Sequence, residues 1–282
     1  MHYALISAAV VMFGIGFLFN DRYEKESGSS FAAALLFTLF GNIAGLLVLL
    51  PVNGFRIEAT PFTLLMAGLA TLNTVLYSFC SLKALAHINL SLYSIFAMLG
   101  GMVLPFAVGI IFYDEPLTYG NVICLILIAA ALALTIKRGD KKRGYVYYVG
   151  VFILNGMSGV LSKAFLAAPY AKASEASYSI WMAILAIAAC LLLLLPLYKQ
   201  IKRPSAKALG YTLGCGAINK FANYLLLLAL AVLPASVQYP FVTGGTMIVS
   251  TLFALFLKQK PTKQEIAAIA LSFLGILILI LI

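Results

Sequence analysis

The sequence predicts an all-α polytopic membrane protein, with ten transmembrane helices arranged as two inverted five-helix repeats. Three observations predict this. Hydrophobic residues make up 63% of the 282 residues and charged residues only 10%, with a mean hydropathy of +1.04, whereas about a quarter of a soluble domain is charged. The apolar residues gather into ten runs of about 20 residues, long enough to cross a hydrocarbon core of roughly 30 Å as helices. Finally, the chain repeats itself: displaced by 145 positions, its two halves align without a gap.

The repeat justifies the elements in pairs. Spans 1 (3–19) and 6 (145–166) share Met12 and Gly14 with Met157 and Gly159. The first run lacks the basic start and cleavage context of a signal peptide, and its mate is internal, so it reads as structure. Spans 2 (31–51) and 7 (177–198) match from Ala44–Pro51 to Ala189–Pro196, and spans 3 (61–82) and 8 (206–231) run into Ala84–Ala86 and Ala229–Ala231. Spans 4 (90–112) and 9 (236–257) share Gly100 and Met102 with Gly245 and Met247. Spans 5 (117–136) and 10 (262–282) follow Glu115-Pro116 and Lys260-Pro261. Outer-membrane strands would be shorter and would alternate polar with apolar residues, which these runs do not. The expected organisation is a first repeat at 1–136, a basic loop at 137–145 and a second repeat at 146–282. The longest polar stretches are Asn20–Ser30 and Lys137–Gly144.

A net charge of +10 could point to nucleic acid, but its placement points to topology. With loops numbered in chain order, fifteen of the 19 Lys and Arg fall in odd-numbered loops. Only Arg56 and Lys172 fall in even ones, and Lys163 and Lys220 lie within spans. The positive-inside rule then places the odd loops in the cytoplasm and both termini outside. Five spans per repeat is an odd number, so the second copy is inserted upside down. Duplicated units of this kind build secondary transporters, whose substrate site lies between the halves.

Lys220 is the sharpest single residue. An ammonium near the middle of span 8 costs about 2.5–3.5 kcal/mol on insertion scales and must face protein or water. Asn223 and Tyr224 follow on the same helical face, with Asn219 adjacent. Amide and phenol donors beside a cation suit a carboxylate or phosphate; bonding to the carbonyls of a neighbouring helix is the structural alternative. Lys163, near the end of span 6, is placed either in a cavity or snorkelling to the interface. Lys83, at the end of span 3, reads as a topology determinant. Asn73 and Tyr77 share a face of span 3, and Asn155, Ser158 and Ser162 a face of span 6; such groups either line a cavity or join helices.

Gly100-Gly101 and Gly244-Gly245, with Pro105 and Pro240, mark spans 4 and 9. Broken or kinked helices at matching places point to a transport site, and close packing through small residues is the alternative. Tyr93, Ser94, Gln238 and Tyr239 precede these glycines and are placed to line a cavity between spans 1, 3, 4 and 6, 8, 9. Trp181 reads as an interfacial anchor. The four cysteines lie in apolar runs without metal spacing and read as buried small hydrophobes.

Leu104-Pro105, then Asp114-Glu115-Pro116-Leu117-Thr118, then an Ala-rich span resembles the EamA-type branch of the drug/metabolite transporter superfamily. The second copy, with Gly275-Ile276, looks like the same module, so the resemblance covers the whole chain. It implies a carrier of small organic solutes, often an exporter, with a central cavity lined by both halves. Two departures stand out. Lys260 replaces the acid usual in the second copy, and the loop charges reverse the cytoplasmic termini of several relatives.

No Asp or Glu lies mid-span, and proton-coupled export of cations generally uses a buried carboxylate. An anionic or zwitterionic metabolite (amino acid, organic acid or phosphorylated compound) is therefore the expected substrate, ahead of a cationic or aromatic drug. No phosphate loop, metal-ligand cluster or nucleophile–base pair appears, so no cofactor is called for. An intramembrane enzyme on lipid-linked substrates, or a channel or scaffold, is the rival from another class. The expected partners are the small-molecule substrate and the bilayer, with no nucleic acid, in a monomer or homodimer.

Overall fold

The structure is a computed structural model that describes residues 2–87, 90–134, 145–201, 203–256 and 263–281. Among these there are ten α-helices and no strand: α1 His2–Ser27, α2 Phe31–Val52, α3 Pro61–Leu85, α4 Leu90–Tyr113, α5 Tyr119–Leu134, α6 Tyr145–Ala167, α7 Glu175–Leu194, α8 Ala206–Leu230, α9 Ala235–Phe256 and α10 Lys263–Leu281. A short 3-10 turn, Leu195–Gln200, extends α7. The helices α1, α2, α3, α6, α7 and α8 are long and apolar enough to cross a membrane. Most of the basic loop at 137–145, and Lys260, lie outside the described residues.

Local chemistry sets where helices begin. Ser30, Thr60, Ser174 and Ser205 each accept a hydrogen bond from the backbone N–H three residues on, capping α2, α3, α7 and α8, where the first N–H groups have no helical partner. The Asn20–Ser30 stretch differs from its expectation as a loop. Helix α1 continues to Ser27, carried by the Asp21–Lys25 pair at 2.7 Å and by Tyr23, which is buried and donates to the Ala33 carbonyl at 2.8 Å.

The outer surface of the helices is apolar, unlike that of a soluble bundle. Leu65, Leu69, Leu72 and Leu76 form an exposed stripe on α3, and Leu191, Leu192 and Leu195 another near the end of α7. The buried side chains, by contrast, include Asn42, Asn73, Gln238, Thr243 and Thr246. An apolar exterior around a core that also holds polar groups is the arrangement that lipid rewards and water would not.

Packing relates the two halves. Helix α1 packs against α8 and α9, and α6 against α3 and α4; α2 packs against α8, and α7 against α3. The pairs α2–α7 and α5–α10 join helices that exchange with each other when the halves are swapped. Polar contacts then tie loops on one face. Asn53 donates to Ser177 at 3.2 Å and Trp181 Nε1 to the Glu58 carbonyl at 2.9 Å, joining the α2–α3 loop to the first turns of α7. Glu115 joins the α4–α5 loop to the start of α9 and the end of α6. This is the even-loop face; the end of α1, the ends of α3 and α7 and the starts of α2 and α8 lie on the odd-loop face.

Helices α4 and α9 run unbroken through Pro105 and Pro240. The expected break is absent, and the small residues of α4 serve close packing: a Cβ on Gly100 would strike the Phe152 backbone, and one on Gly156 the Gly100 carbonyl. Small residues here let α4 and α6 approach backbone to backbone.

Candidate functional site

A cavity of about 340 Å³ lies at the centre of the bundle. Eight helices line it; α5 and α10 contribute nothing among the described residues. Ser158 and Asn223 are exposed lining residues, so the mouth lies between α6 and α8, in the halves running toward the even-loop face. On the other side α2 and α8 close against each other: a Cβ on Gly216 would collide with the Gly41 backbone.

Lys220 lines this cavity and is its only charged residue among those described. It makes no hydrogen bond or ion pair with the described residues. Its stem lies along α2 at Gly45, where a Cβ would collide with the Lys220 Cβ and Cγ, and Asn219 fits against Gly16 of α1 in the same way. Two glycines thus make room for Lys220 and Asn219 of α8 where they face the centre. An ammonium held in an apolar bundle without a counter-charge is costly. It therefore favours any anion that reaches it.

The amides both join helices and line the cavity. Asn73 donates to the Leu154 carbonyl at 2.9 Å, Asn155 to Ala97 at 2.6 Å and Gln238 to Leu226 at 3.0 Å, while Asn223 donates to Asn219 at 2.8 Å and Asn42 to Thr38 at 2.7 Å. With the nitrogens so used, the side-chain oxygens of Asn42, Asn73, Asn219 and Gln238 are buried without a partner. The two alternatives posed for these residues turn out to be compatible.

Of the sequence-predicted residues, Lys220, Asn219, Asn223, Asn73, Tyr77, Asn155, Ser158, Ser162, Gln238 and Tyr239 are brought together on the wall. Three are not. Tyr224 stands outside the lining, beside the Phe221 ring at 6.4 Å. Tyr93 is buried behind the wall, sharing hydrogen bonds with Tyr77 at 2.9 Å and Ser81 at 2.7 Å. Lys163 turns from the cavity to pair with Glu115 at 2.5 Å, its ammonium 5.5 Å from the Tyr113 ring. The Ser94 side chain is outside the described set.

Sequence reasoning missed Glu115, which reads as a boundary acid. Its carboxylate accepts the Ala235 and Ser236 N–H groups at 3.0 and 2.9 Å, where the α9 dipole favours an anion. Burial alone would raise its pKa, but Lys163 and the two N–H groups together hold it below the ordinary carboxyl value. Also missed were Thr38, Gly41 and Asn42 on α2 and Tyr178, Ser179 and Met182 on α7. Thr38, Gly41, Asn42 and Gly45 lie along one helical face, the signal that would have placed α2 at the site.

Residues 142–281 match the EamA-like transporter family. No curated protein matches the chain. A solved crystal structure of a protein, described only as such, superposes with a TM-score of 0.71 at 17% identity, covering 98% of this chain and 98% of that one. At that identity the likeness shows the fold alone.

Proposed function

We propose, from the premise that this chain is a multi-pass membrane protein of the EamA-like transporter family, that it carries a small anionic or zwitterionic metabolite by alternating access around the central cavity. The observation that carries this reading is Lys220, an unpaired ammonium on the wall of a cavity with no other described charge. A carboxylate or phosphate would meet Lys220, and the polar side chains that line the same cavity, Asn155, Ser158, Ser162 and Asn223 among them, would contact the rest of the solute.

Five-span inverted repeats are supported by the packing, in which the most extensive helix pairs map onto one another or onto themselves when the halves exchange. Loop charges support cytoplasmic odd loops and outer termini. On that orientation the mouth between α6 and α8 faces outward, and the contact of Gly41 with Gly216 lies toward the cytoplasm. Counterflow in proteoliposomes tests the carrier reading. Solute loaded inside must accelerate entry of the same labelled solute, and a channel would show no such trans-stimulation.

A further inference from the structure

Beyond the central cavity, on the side away from its mouth, lies a second cavity of about 90 Å³. The two share Phe17, Phe37, Tyr77, Ser78, Cys215 and Asn219, so a single layer of side chains divides them. The chain order shows which way the second cavity lies. On α1 the lining moves from Phe13 through Phe17 to Asn20, and on α3 from Asn73 through Tyr77 to Ser81; on α4 it moves back from Gly101 and Met98 to Tyr93. All three progressions run toward the odd-loop face.

A chain of hydrogen bonds fixes this layer. The Tyr77 and Tyr93 hydroxyls are 2.9 Å apart, the Tyr93 hydroxyl is 2.7 Å from the Ser81 hydroxyl, and Asn20 donates to Ser81 at 3.3 Å. The Phe17 ring meets Tyr93 edge-on at 6.4 Å. Helices α1, α3 and α4 are thereby linked at one depth. Tyr77 differs from an ordinary core tyrosine in having a void on each side. In a close-packed interior a ring has no space into which to rotate, whereas a rotation of Tyr77 would join the two cavities.

We propose that Tyr77 is the gate between the central cavity and the odd-loop face, that Tyr93 is the residue that holds it shut, and that the smaller cavity is the next stretch of the solute path. This rests on the transport reading above. Opening requires the Tyr77–Tyr93 bond to break while Tyr93 keeps Ser81. Tyr93 is thus a positioning residue that contacts no solute in the central cavity while the gate is closed.

The native Cys215 thiol lines both cavities and is 2% exposed, so it reports the gate. With Cys80, Cys124 and Cys190 replaced by alanine, an impermeant methanethiosulfonate reagent is applied to the odd-loop face of reconstituted protein. Labelling should be slow with Tyr93 present. Tyr93→Phe, which keeps the ring and removes the hydroxyl, should accelerate it by roughly fivefold to tenfold, the scale of one lost hydroxyl hydrogen bond. Tyr77→Phe removes the other end of the same bond and should do the same, so one variant carries the test if the other fails to fold. Labelling from the even-loop face should change less than about twofold, because the mouth lacks this bond. Native-rate labelling from the odd-loop face in either folded variant would overturn the gate. Anion-dependent thermal stabilisation, measured on the same samples, separates the two readings: if it persists when the gate result fails, only the gate is lost.

Discussion

The stem of Lys220 lies in the groove that Gly45 leaves on α2, two residues from different halves of the sequence fitted at one place. A Cβ on Gly45 would meet the Cβ and Cγ of Lys220, not its mobile end. Gly45→Ala must therefore displace the lysine or part the helices, a steric change that costs about 1–3 kcal/mol in packed interiors. Anion binding should weaken by roughly fivefold to a hundredfold, the equivalent of that energy. Gly68→Ala is the control. Nothing lies within 4 Å of a Cβ there, and helix propensity favours alanine by about 1 kcal/mol, so its melting temperature should hold or rise. Isothermal titration and thermal unfolding of both variants check this pair.

Glu115 and Lys163 should matter to stability more than to binding. Glu115→Gln removes the charge that pairs with Lys163 and caps α9; breaking a buried pair costs about 3–5 kcal/mol, and the slight exposure of Lys163 argues for the lower end. The sign with pH follows from the depressed Glu115 pKa. The stabilisation is fully present above the ordinary carboxyl range and is lost as pH falls through the folded value. Thermal unfolding at neutral pH should therefore separate the two proteins widely, and the gap should close in acid below the ordinary carboxyl value. A gap independent of pH would mean that packing, not charge, is what the substitution removes.

Orientation is open to direct labelling. Arg56 is exposed in the α2–α3 loop. In intact cells Arg56→Cys should react with an impermeant thiol reagent, and Lys141→Cys should be protected. The reverse pattern would place the odd loops outside and turn the mouth toward the cytoplasm.

Much of this architecture is legible in the sequence because lipid imposes a single rule on it. The six helices long and apolar enough to cross a membrane announce themselves as apolar runs, and the start residues Ser30, Thr60, Ser174 and Ser205 sit where four of those runs begin. The extension of α1 to Ser27 was hidden because its last turns are polar; the buried Tyr23 and its bond to Ala33 are tertiary. Lys220 was legible since a mid-span cation is an exception that needs a reason. Glu115 was not. Its partners Lys163 and Ser236 are far away in sequence, and no spacing rule on one helix connects them. Tyr93 failed for a related reason: helical position told which way it faces, but not that Tyr77 stands between it and the cavity. Asn42 was overlooked because a single amide in an apolar run says little until the opposite helix is known.

Lys220→Met tests the central claim most directly, that an unpaired ammonium in the cavity receives the anionic group of the solute. The measurement is thermal stabilisation of the purified protein by a panel of amino acids, organic acids and phosphorylated metabolites, with native and variant side by side. The native protein should be stabilised by one or more carboxylates or phosphates. Lys220→Met should fold and insert but lose that response, and Lys220→Arg should recover only part of it, since a planar fork does not replace a compact ammonium. Stabilisation by the same anions at the same concentrations in Lys220→Met, or stabilisation of the native protein by organic cations alone, would contradict it.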